Sequence, residues 1–163
     1  MKNVAHVGVT IATQSFGAAG DPAILLIMGA TASMLSWPDE FCVGLAARGY
    51  FVIRFDHRDT GQSTTMPPGR VAYDVEDMVA DAIAILGAYD LERAHLVGMS
   101  LGGLISQMVA LLYPKRVISL TLLASEPLGW DGPSLPQIDP AFLEHFNGLG
   151  TLDWSDREIA IRF

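Results

Sequence analysis

The chain has 163 residues, half of them hydrophobic and 17% charged, so it can bury the core of one globular domain. Eighteen acidic residues against ten basic ones give a net charge of -8, which argues against nucleic acid and against a polybasic membrane contact. No apolar signal segment opens the chain, and its longest apolar run, 23–28, is far below the roughly 18 residues of a membrane helix, so we expect a cytoplasmic protein.

Strand and helix patterns alternate along the first part of the chain. Residues 7–13 alternate loosely and include β-branched side chains, and the run 23–28 is typical of a strand covered on both faces. A helix is expected from about Pro38, because proline fits a first turn and acidic residues follow it, with Gly49 after its end. Residues 50–55 have the composition of another buried strand.

The same alternation continues toward the middle of the chain. Asp74 can serve as the N-cap of a helix that ends near Gly87, and a strand pattern covers 94–99. A helical pattern over 101–112 is followed by a strand pattern over 117–124 with apolar residues on both faces. This order predicts an α/β fold with a largely parallel sheet.

The composition changes after this last strand pattern. The residues that follow contain many prolines and glycines and have no strand pattern. Short helical patterns come next, at 142–146 and 155–162. We therefore predict two parts, 1–125 and 126–163, of which the second begins a different module.

A G-x-S-x-G motif lies where the 94–99 strand pattern meets the next helix. It predicts a nucleophile elbow, in which Ser100 occupies a sharp strand-to-helix turn and only glycine at 98 and 102 lets the neighbouring backbone pass. The backbone N–H of Leu101, at the start of the helix, can face a developing oxyanion. The alternative is that a small serine merely lets strand and helix pack, but the flanking strand and Gly103 favour a serine hydrolase nucleophile.

Four segments of the sequence carry a family resemblance: 28–30, 37–41, the run D-H-R-D-T-G-Q-S-T at 56–64, and 98–103. They resemble the α/β-hydrolase fold family, and within it the esterases similar to aclacinomycin methylesterase. The resemblance implies a mostly parallel α/β-hydrolase sheet with its first six strands over 1–125. It also implies that 126–163 is the beginning of a helical cap, so that the core is incomplete.

The resemblance also implies the parts of a site. Ser100 would be the nucleophile, and the N–H groups of Leu101 and of Ala30, in the loop after the third strand, would form the oxyanion hole. Gly29 would serve the tight turn at the substrate, and Trp130 would line an apolar acyl or alcohol pocket. The expected ligand is a small-molecule ester, and the chemistry needs no metal or cofactor.

Two further residues are open to a catalytic or a structural interpretation. His57 could be mistaken for the general base, but the loop that carries it does not supply the base in this family, so a structural hydrogen-bonding histidine is favoured. Glu126 follows the last strand pattern, where some members place the triad acid. A solvated loop carboxylate is favoured, because nothing in the sequence supplies the histidine that such an acid would orient.

The base and the acid of a serine triad should follow the nucleophile in this fold. The only later histidine, His145, lies in the predicted cap, and the strand over 117–124 would be left as an edge. We therefore expect the N-terminal part of a hydrolase that a C-terminal chain or fragment completes and that is inactive alone. If 163 residues are the natural chain, the alternative is a non-catalytic binding or interaction protein. Related perhydrolases, lactonases and C–C bond hydrolases share the elbow, so the bond cleaved stays open.

Overall fold

The structure is a computed structural model that describes residues 1–67, 70–133, 139–148 and 158. The strands of its described part are Lys2–His6 (β1), Val9–Phe16 (β2), Ala23–Ile27 (β3), Phe51–Phe55 (β4), Ala94–Met99 (β5) and Val117–Leu123 (β6). The α-helices are Asp39–Ala46 (α1), Val75–Ala88 (α2), Leu101–Leu112 (α3) and Pro140–Asn147 (α4).

The six strands form one sheet in the order β1-β2-β4-β3-β5-β6. β1 and β2 are antiparallel to their neighbours, whereas β4, β3, β5 and β6 run parallel to one another. Leu25 at the centre of β3 pairs with Ile53 on one side and with Leu96 on the other. The predicted α/β fold with a mostly parallel sheet is therefore confirmed.

The first strand prediction is wrong in its bounds. Residues 7–13 do not form one strand, because Val7 and Gly8 form the turn of a hairpin with φ values of 39° and 78°. His6 pairs with Val9 across this turn, and a two-residue hairpin turn favours positive φ at both central residues. β1 therefore precedes the predicted segment, and the side chain of Val7 is exposed.

The predicted helices begin at the residues that cap them. α1 starts immediately after Pro38, and Gly49 follows its end with φ 83°. The Asp74 carboxylate accepts a hydrogen bond from the N–H of Asp77, whose carboxylate accepts one from the N–H of Asp74, each at 3.1 Å. This reciprocal capping box fixes the start of α2, which continues through Gly87 to Ala88.

The sheet buries apolar side chains on both faces, as alternation along a strand requires. Every residue of β3 and β4 is buried. The buried apolar side chains form two clusters. The larger cluster joins one face of the sheet to α2 and α3, and the smaller cluster joins the other face to α1. Fully buried members of the larger cluster are Ile11, Leu25, Ile27, Ile53, Ile85, Leu86, Ala94, Leu96, Ile105 and Val109. Because both faces of the central strands are buried, these strands are continuous apolar runs in the sequence, which is why the sequence predicted them.

The strand β6 differs from the central strands in its exposure. It pairs with β5 and, within the described part of the chain, is the last strand of the sheet. Its apolar side chains Ile118, Leu120 and Leu123 are 42%, 38% and 37% exposed. The predicted strand is thus confirmed, and more than a third of each of these side chains stays exposed among the residues that the structure describes.

The contacts divide the chain into two compact units, Met1–Trp130 and Asp131–Phe163. The helical pattern predicted at 142–146 lies within α4, whereas the pattern at 155–162 falls outside the described residues apart from Glu158. The proposed boundary between 125 and 126 stays a prediction. None of the helices in the described ranges is long and apolar enough to cross a membrane.

Candidate active site

Ser100 lies in the turn between β5 and α3. Its backbone has φ 49° and ψ −115°, a strained conformation for a residue with a side chain. The N–H of Ser100 donates to the carbonyl oxygen of Leu123 at 2.9 Å, and its own carbonyl accepts from the N–H groups of Gly103 at 2.8 Å and Leu104 at 3.2 Å. Hydrogen bonds on both sides of the turn therefore hold the strained residue in place.

The two glycines of the motif lie where backbone segments approach most closely. A Cβ atom at Gly98 would overlap the backbone of Gly102 and Gly103. A Cβ atom at Gly102 would overlap the carbonyl groups of Ile27 and Met28, at the end of β3. The elbow thus packs directly against the loop that follows β3, which accounts for the glycine at both positions.

Ser100 is exposed and borders an open cavity of about 590 Å³. The cavity is lined by Ser100, Leu101, Leu104, Ala124, Ser125, Glu126, Pro127, Leu128, Gly129 and Trp130. These residues come from the elbow, from the first turn of α3 and from the segment after β6. Six of these ten described lining residues have apolar side chains, and among the ten Glu126 is the one that is charged.

The loop after β3 lies beside the nucleophile. A Cβ atom built on the buried Gly29 would be 3.4 Å from the Cβ of Ser100 and 3.4 Å from the carbonyl oxygen of Met99. The adjacent Ala30 is exposed, and its carbonyl oxygen accepts a hydrogen bond from Thr31 Oγ1 at 2.7 Å. Gly29 is therefore brought against Ser100, while the oxyanion-hole roles of Ala30 and Leu101 stay predictions.

The buried carboxylate of Asp56 fixes the far end of this loop. Its Oδ1 accepts hydrogen bonds from the N–H of Met34 at 2.7 Å and from Ser33 Oγ at 3.0 Å. Its Oδ2 accepts one from the N–H of Gln62 at 2.9 Å. One carboxylate therefore ties the loop after β3 to the loop after β4.

His57 holds the near end of the same loop. Its ring is 4% exposed, and Nε2 lies 2.8 Å from the carbonyl oxygen of Met28, the residue before Gly29. Burial lowers the pKa of His57, so the neutral ring donates this hydrogen bond from Nε2. The contact agrees with the structural role that was favoured for this histidine.

A buried ion pair anchors the loop after β4 to α2. Arg58 Nε and Nη2 donate to the two carboxylate oxygens of Asp81 at 2.6 Å and 2.9 Å. Both side chains are nearly inaccessible, and the hydrogen bond to Asp81 raises the pKa of Arg58. Sequence reasoning missed this pair. The available signal was an acidic residue on the apolar face of α2, between Met78 and Ala82.

A second residue that sequence reasoning missed is Gln107 on α3. Its Nε2 donates to the carbonyl oxygen of Glu126 at 3.0 Å and to that of Gly103 at 3.3 Å, and its Oε1 accepts from the N–H of Leu128 at 2.7 Å. The signal was again a polar residue on the buried side of an amphipathic helix. Gln107 therefore joins the elbow helix to the cavity wall.

The remaining candidates lie on the cavity or outside the description. The Glu126 side chain is exposed at the cavity, which agrees with the solvated carboxylate that was favoured. Trp130 lies in the cavity lining, 47% exposed. The side chain of His145 is outside the described part. Among the described residues, no three His, Cys, Asp or Glu side chains group closely enough to hold a metal ion.

Comparison with known proteins agrees with this fold. The model of the alpha/beta hydrolase fold family matches residues 22–157. The rhodomycin D methylesterase DauP of Streptomyces sp. (strain C5) is 44% identical over 123 residues, which are 76% of this chain and 41% of that protein. The rhodomycin D methylesterase DnrP of Streptomyces peucetius is 43% identical over the same shares of the two chains.

Solved structures give the same likeness. A hydrolase from Pseudomonas aeruginosa PA01 aligns with a TM-score of 0.75 at 27% identity, over 96% of this chain and 54% of its own. Est816, described as an N-acyl homoserine lactone degrading enzyme, aligns with a TM-score of 0.67 at 30% identity, over 76% of this chain and 45% of its own.

The chain belongs to the α/β-hydrolase fold family. The resemblance to its methylesterases is confirmed over the N-terminal part of the fold, and the relatives include esterases. The chain spans less than half of the length of these curated relatives, 41% in both rhodomycin D methylesterases.

Proposed function

We propose that this chain carries the nucleophile of a serine carboxylic ester hydrolase. The observation that carries the proposal is the strained, exposed Ser100 at the head of α3, on the edge of a cavity that apolar and polar residues line together. Strain of this kind is found where the surrounding structure holds a reacting group in a fixed direction. Membership of a family of hydrolases supports the same interpretation.

The proposed reaction passes through an acyl-enzyme. Ser100 Oγ attacks the ester carbonyl carbon, and a histidine takes the hydroxyl proton. The N–H groups of Ala30 and Leu101 stabilise the resulting oxyanion. The intermediate then collapses, the alcohol leaves with the proton from the histidine, and the acyl group stays on Ser100. Water hydrolyses this ester to release the acid and regenerate the serine. No metal or cofactor takes part.

The cavity and the relatives together suggest the class of substrate. A space of about 590 Å³ walled by Leu104, Leu128 and Trp130 suits an apolar group of drug size. Two curated relatives are methylesterases, so the leading candidate is a small alkyl ester, such as a methyl ester, of a bulky apolar acid. The proposed compartment is the cytoplasm.

We propose that a C-terminal segment or chain supplies the histidine and the acid. The greater length of the relatives supports this, and so do the exposed apolar side chains of β6, which a further strand or helix could cover. The isolated 163-residue chain would then be inactive, because Ser100 would lack the base that takes its proton.

A fluorophosphonate probe tests the nucleophile in the full-length protein that contains this chain. We expect rapid labelling of the wild type and loss of labelling in Ser100→Ala. Ser119→Ala is the matched control, because Ser119 Oγ lies 2.7 Å from His95 Nδ1 outside the cavity lining. Equal labelling of Ser100→Ala and the wild type would contradict the proposal.

One observation favours a second candidate, a non-catalytic binding protein. None of the ten described residues that line the cavity is a histidine. Such a protein would bind an apolar ester equally well as wild type and as Ser100→Ala, and it would show no turnover with either. Turnover that depends on Ser100 would exclude this alternative.

A further inference from the structure

One wall of the cavity is formed by the segment after β6. Residues 124–130 supply seven of the ten lining residues, and all but Ser125 are exposed in this structure. Within this segment, the N–H of Trp130 bonds to the carbonyl oxygen of Pro127 at 3.3 Å, and Gly129 has φ 69°. The wall is therefore a loop that contains a turn. Its position depends on the contacts that attach it to the rest of the fold.

Gln107 attaches this loop to α3. The side chain is 9% exposed, and its amide bridges two loop residues by donating to the carbonyl of Glu126 and accepting from the N–H of Leu128. A neutral amide is needed for this, because the bridge uses a donor and an acceptor at once. Removing the amide would leave two main-chain groups of the wall without these partners.

The helix that carries Gln107 is also the helix that starts at the nucleophile. Gln107 lies seven residues after Ser100, about two turns along α3 and on the same side of the helix. Gln107 therefore connects this wall of the cavity to the helix that follows Ser100. Leu104, one turn before Gln107, also lines the cavity.

We propose that Gln107 is a positioning residue that sets the width of the substrate cavity and thereby the selectivity for bulky acyl groups. This inference rests on the proposed function, because it assigns the wall to the substrate of Ser100. Without the bridge the wall shifts from α3, so an acyl chain that fills the cavity loses contacts. An acetyl group does not reach the wall and is unaffected.

The test compares esters that differ only in acyl length, p-nitrophenyl octanoate and p-nitrophenyl acetate, with the full-length protein. Gln107→Met keeps the length of the side chain and removes both hydrogen-bonding functions. We expect its KM for the octanoate to rise about tenfold, as the loss of one or two hydrogen bonds and the associated packing implies. The kcat/KM for the acetate should stay within about twofold of the wild type.

Two more variants separate positioning from general stability. Gln107→Glu keeps an acceptor for the N–H of Leu128 but turns a carboxylate oxygen toward the carbonyl of Glu126, so its octanoate KM should rise at least as much as that of Gln107→Met. Ser106→Ala is the matched control, because Ser106 Oγ bonds within α3 to the carbonyl of Gly102 at 2.7 Å and does not reach the wall. It should leave the ratio of the two esters unchanged.

An equal loss toward both esters, or no loss toward either, would overturn the assignment of Gln107. If Gln107→Met does not fold, the ratio of the two esters in Gln107→Glu decides in the same way. Fluorophosphonate labelling separates this failure from failure of the proposed function. Labelling of Ser100 in the wild type and in the Gln107 variants shows that the nucleophile stands whatever the ester ratio is. Absence of labelling in the wild type refutes the proposed function, and this inference falls with it.

Discussion

Two regions next to the elbow are built in different ways. The loops after β3 and β4 are held by the buried groups Asp56, His57 and Arg58, each with its own polar partner. The cavity wall after β6 is largely exposed and is bridged to α3 by Gln107. The difference indicates that the surroundings of Ser100 are fixed by buried polar contacts, whereas the wall after β6 can vary at lower cost.

The largest expected effect concerns the contact between the elbow and the loop after β3. Gly102→Ala would place a methyl group onto the carbonyl groups of Ile27 and Met28, so we expect it to cost more than about 3 kcal/mol of unfolding free energy. Denaturant unfolding measures this. Gly87→Ala is the control, because nothing lies within 4 Å of the added methyl group in α2, and it should stabilise by up to about 1 kcal/mol.

A loss below about 1 kcal/mol in Gly102→Ala would show that the loop after β3 yields easily. This loop would then be no more rigid than the wall after β6, and the comparison between them would fail.

The buried ion pair should come next in size. Asp81→Asn would leave the Arg58 guanidinium buried without its counter-charge, at a cost of about 3 kcal/mol. Asp77→Asn is the matched control, because Asp77 Oδ1 lies 3.9 Å from Arg58 Nη1, its side chain is 40% exposed, and asparagine keeps an acceptor for the capping box. Its cost should stay below about 1 kcal/mol. Similar losses in thermal unfolding of the two variants would contradict a special role for the buried pair.

The smallest expected effect is a dependence of stability on pH. Because burial lowers the pKa of His57 in the folded state, the unfolded chain binds its proton first, and stability is lost as the pH falls from about 6.5 through the folded pKa. A glutamine in place of this histidine can still donate to the Met28 carbonyl but does not titrate. His57→Gln should therefore show a flatter stability profile than the wild type between about pH 7 and pH 5.

Unfolding midpoints at several pH values check this expectation. Parallel profiles for the wild type and His57→Gln would show that the histidine does not couple the loop to pH. His57→Leu, which cannot donate to Met28, separates loss of the hydrogen bond from loss of the titration, since it should be less stable than His57→Gln at about pH 7.

The parts of the molecule that sequence reasoning found are those whose information is local. β3 and β4 were visible because burial on both faces gives a continuous apolar run, and the elbow was visible because five neighbouring residues specify one strained turn. The turn at Val7 was missed because a β-branched residue there has the composition of a strand. The strand pattern of β1, which precedes this turn, was too short to be recognised in the sequence.

The missed site residues have partners that are distant along the chain. Arg58 meets Asp81, 23 positions later, and Gln107 meets Glu126, 19 positions later, so only the fold brings them together. The sequence shows each of these residues as a polar residue on an apolar helix face or next to a motif. It does not indicate which residue is the partner. The exposure of β6 agrees with the expectation that the strand over 117–124 would be left as an edge, although its apolar pattern by itself matches that of a covered strand.

The most direct measurement is the mass of the full-length protein trapped by acid during turnover of p-nitrophenyl octanoate. An ester hydrolase that uses Ser100 should gain the mass of the octanoyl group, and digestion should assign it to the peptide that contains Ser100. Octanoate released with no such adduct, or an adduct on another residue with Ser100→Ala still active, would contradict the assignment of the nucleophile.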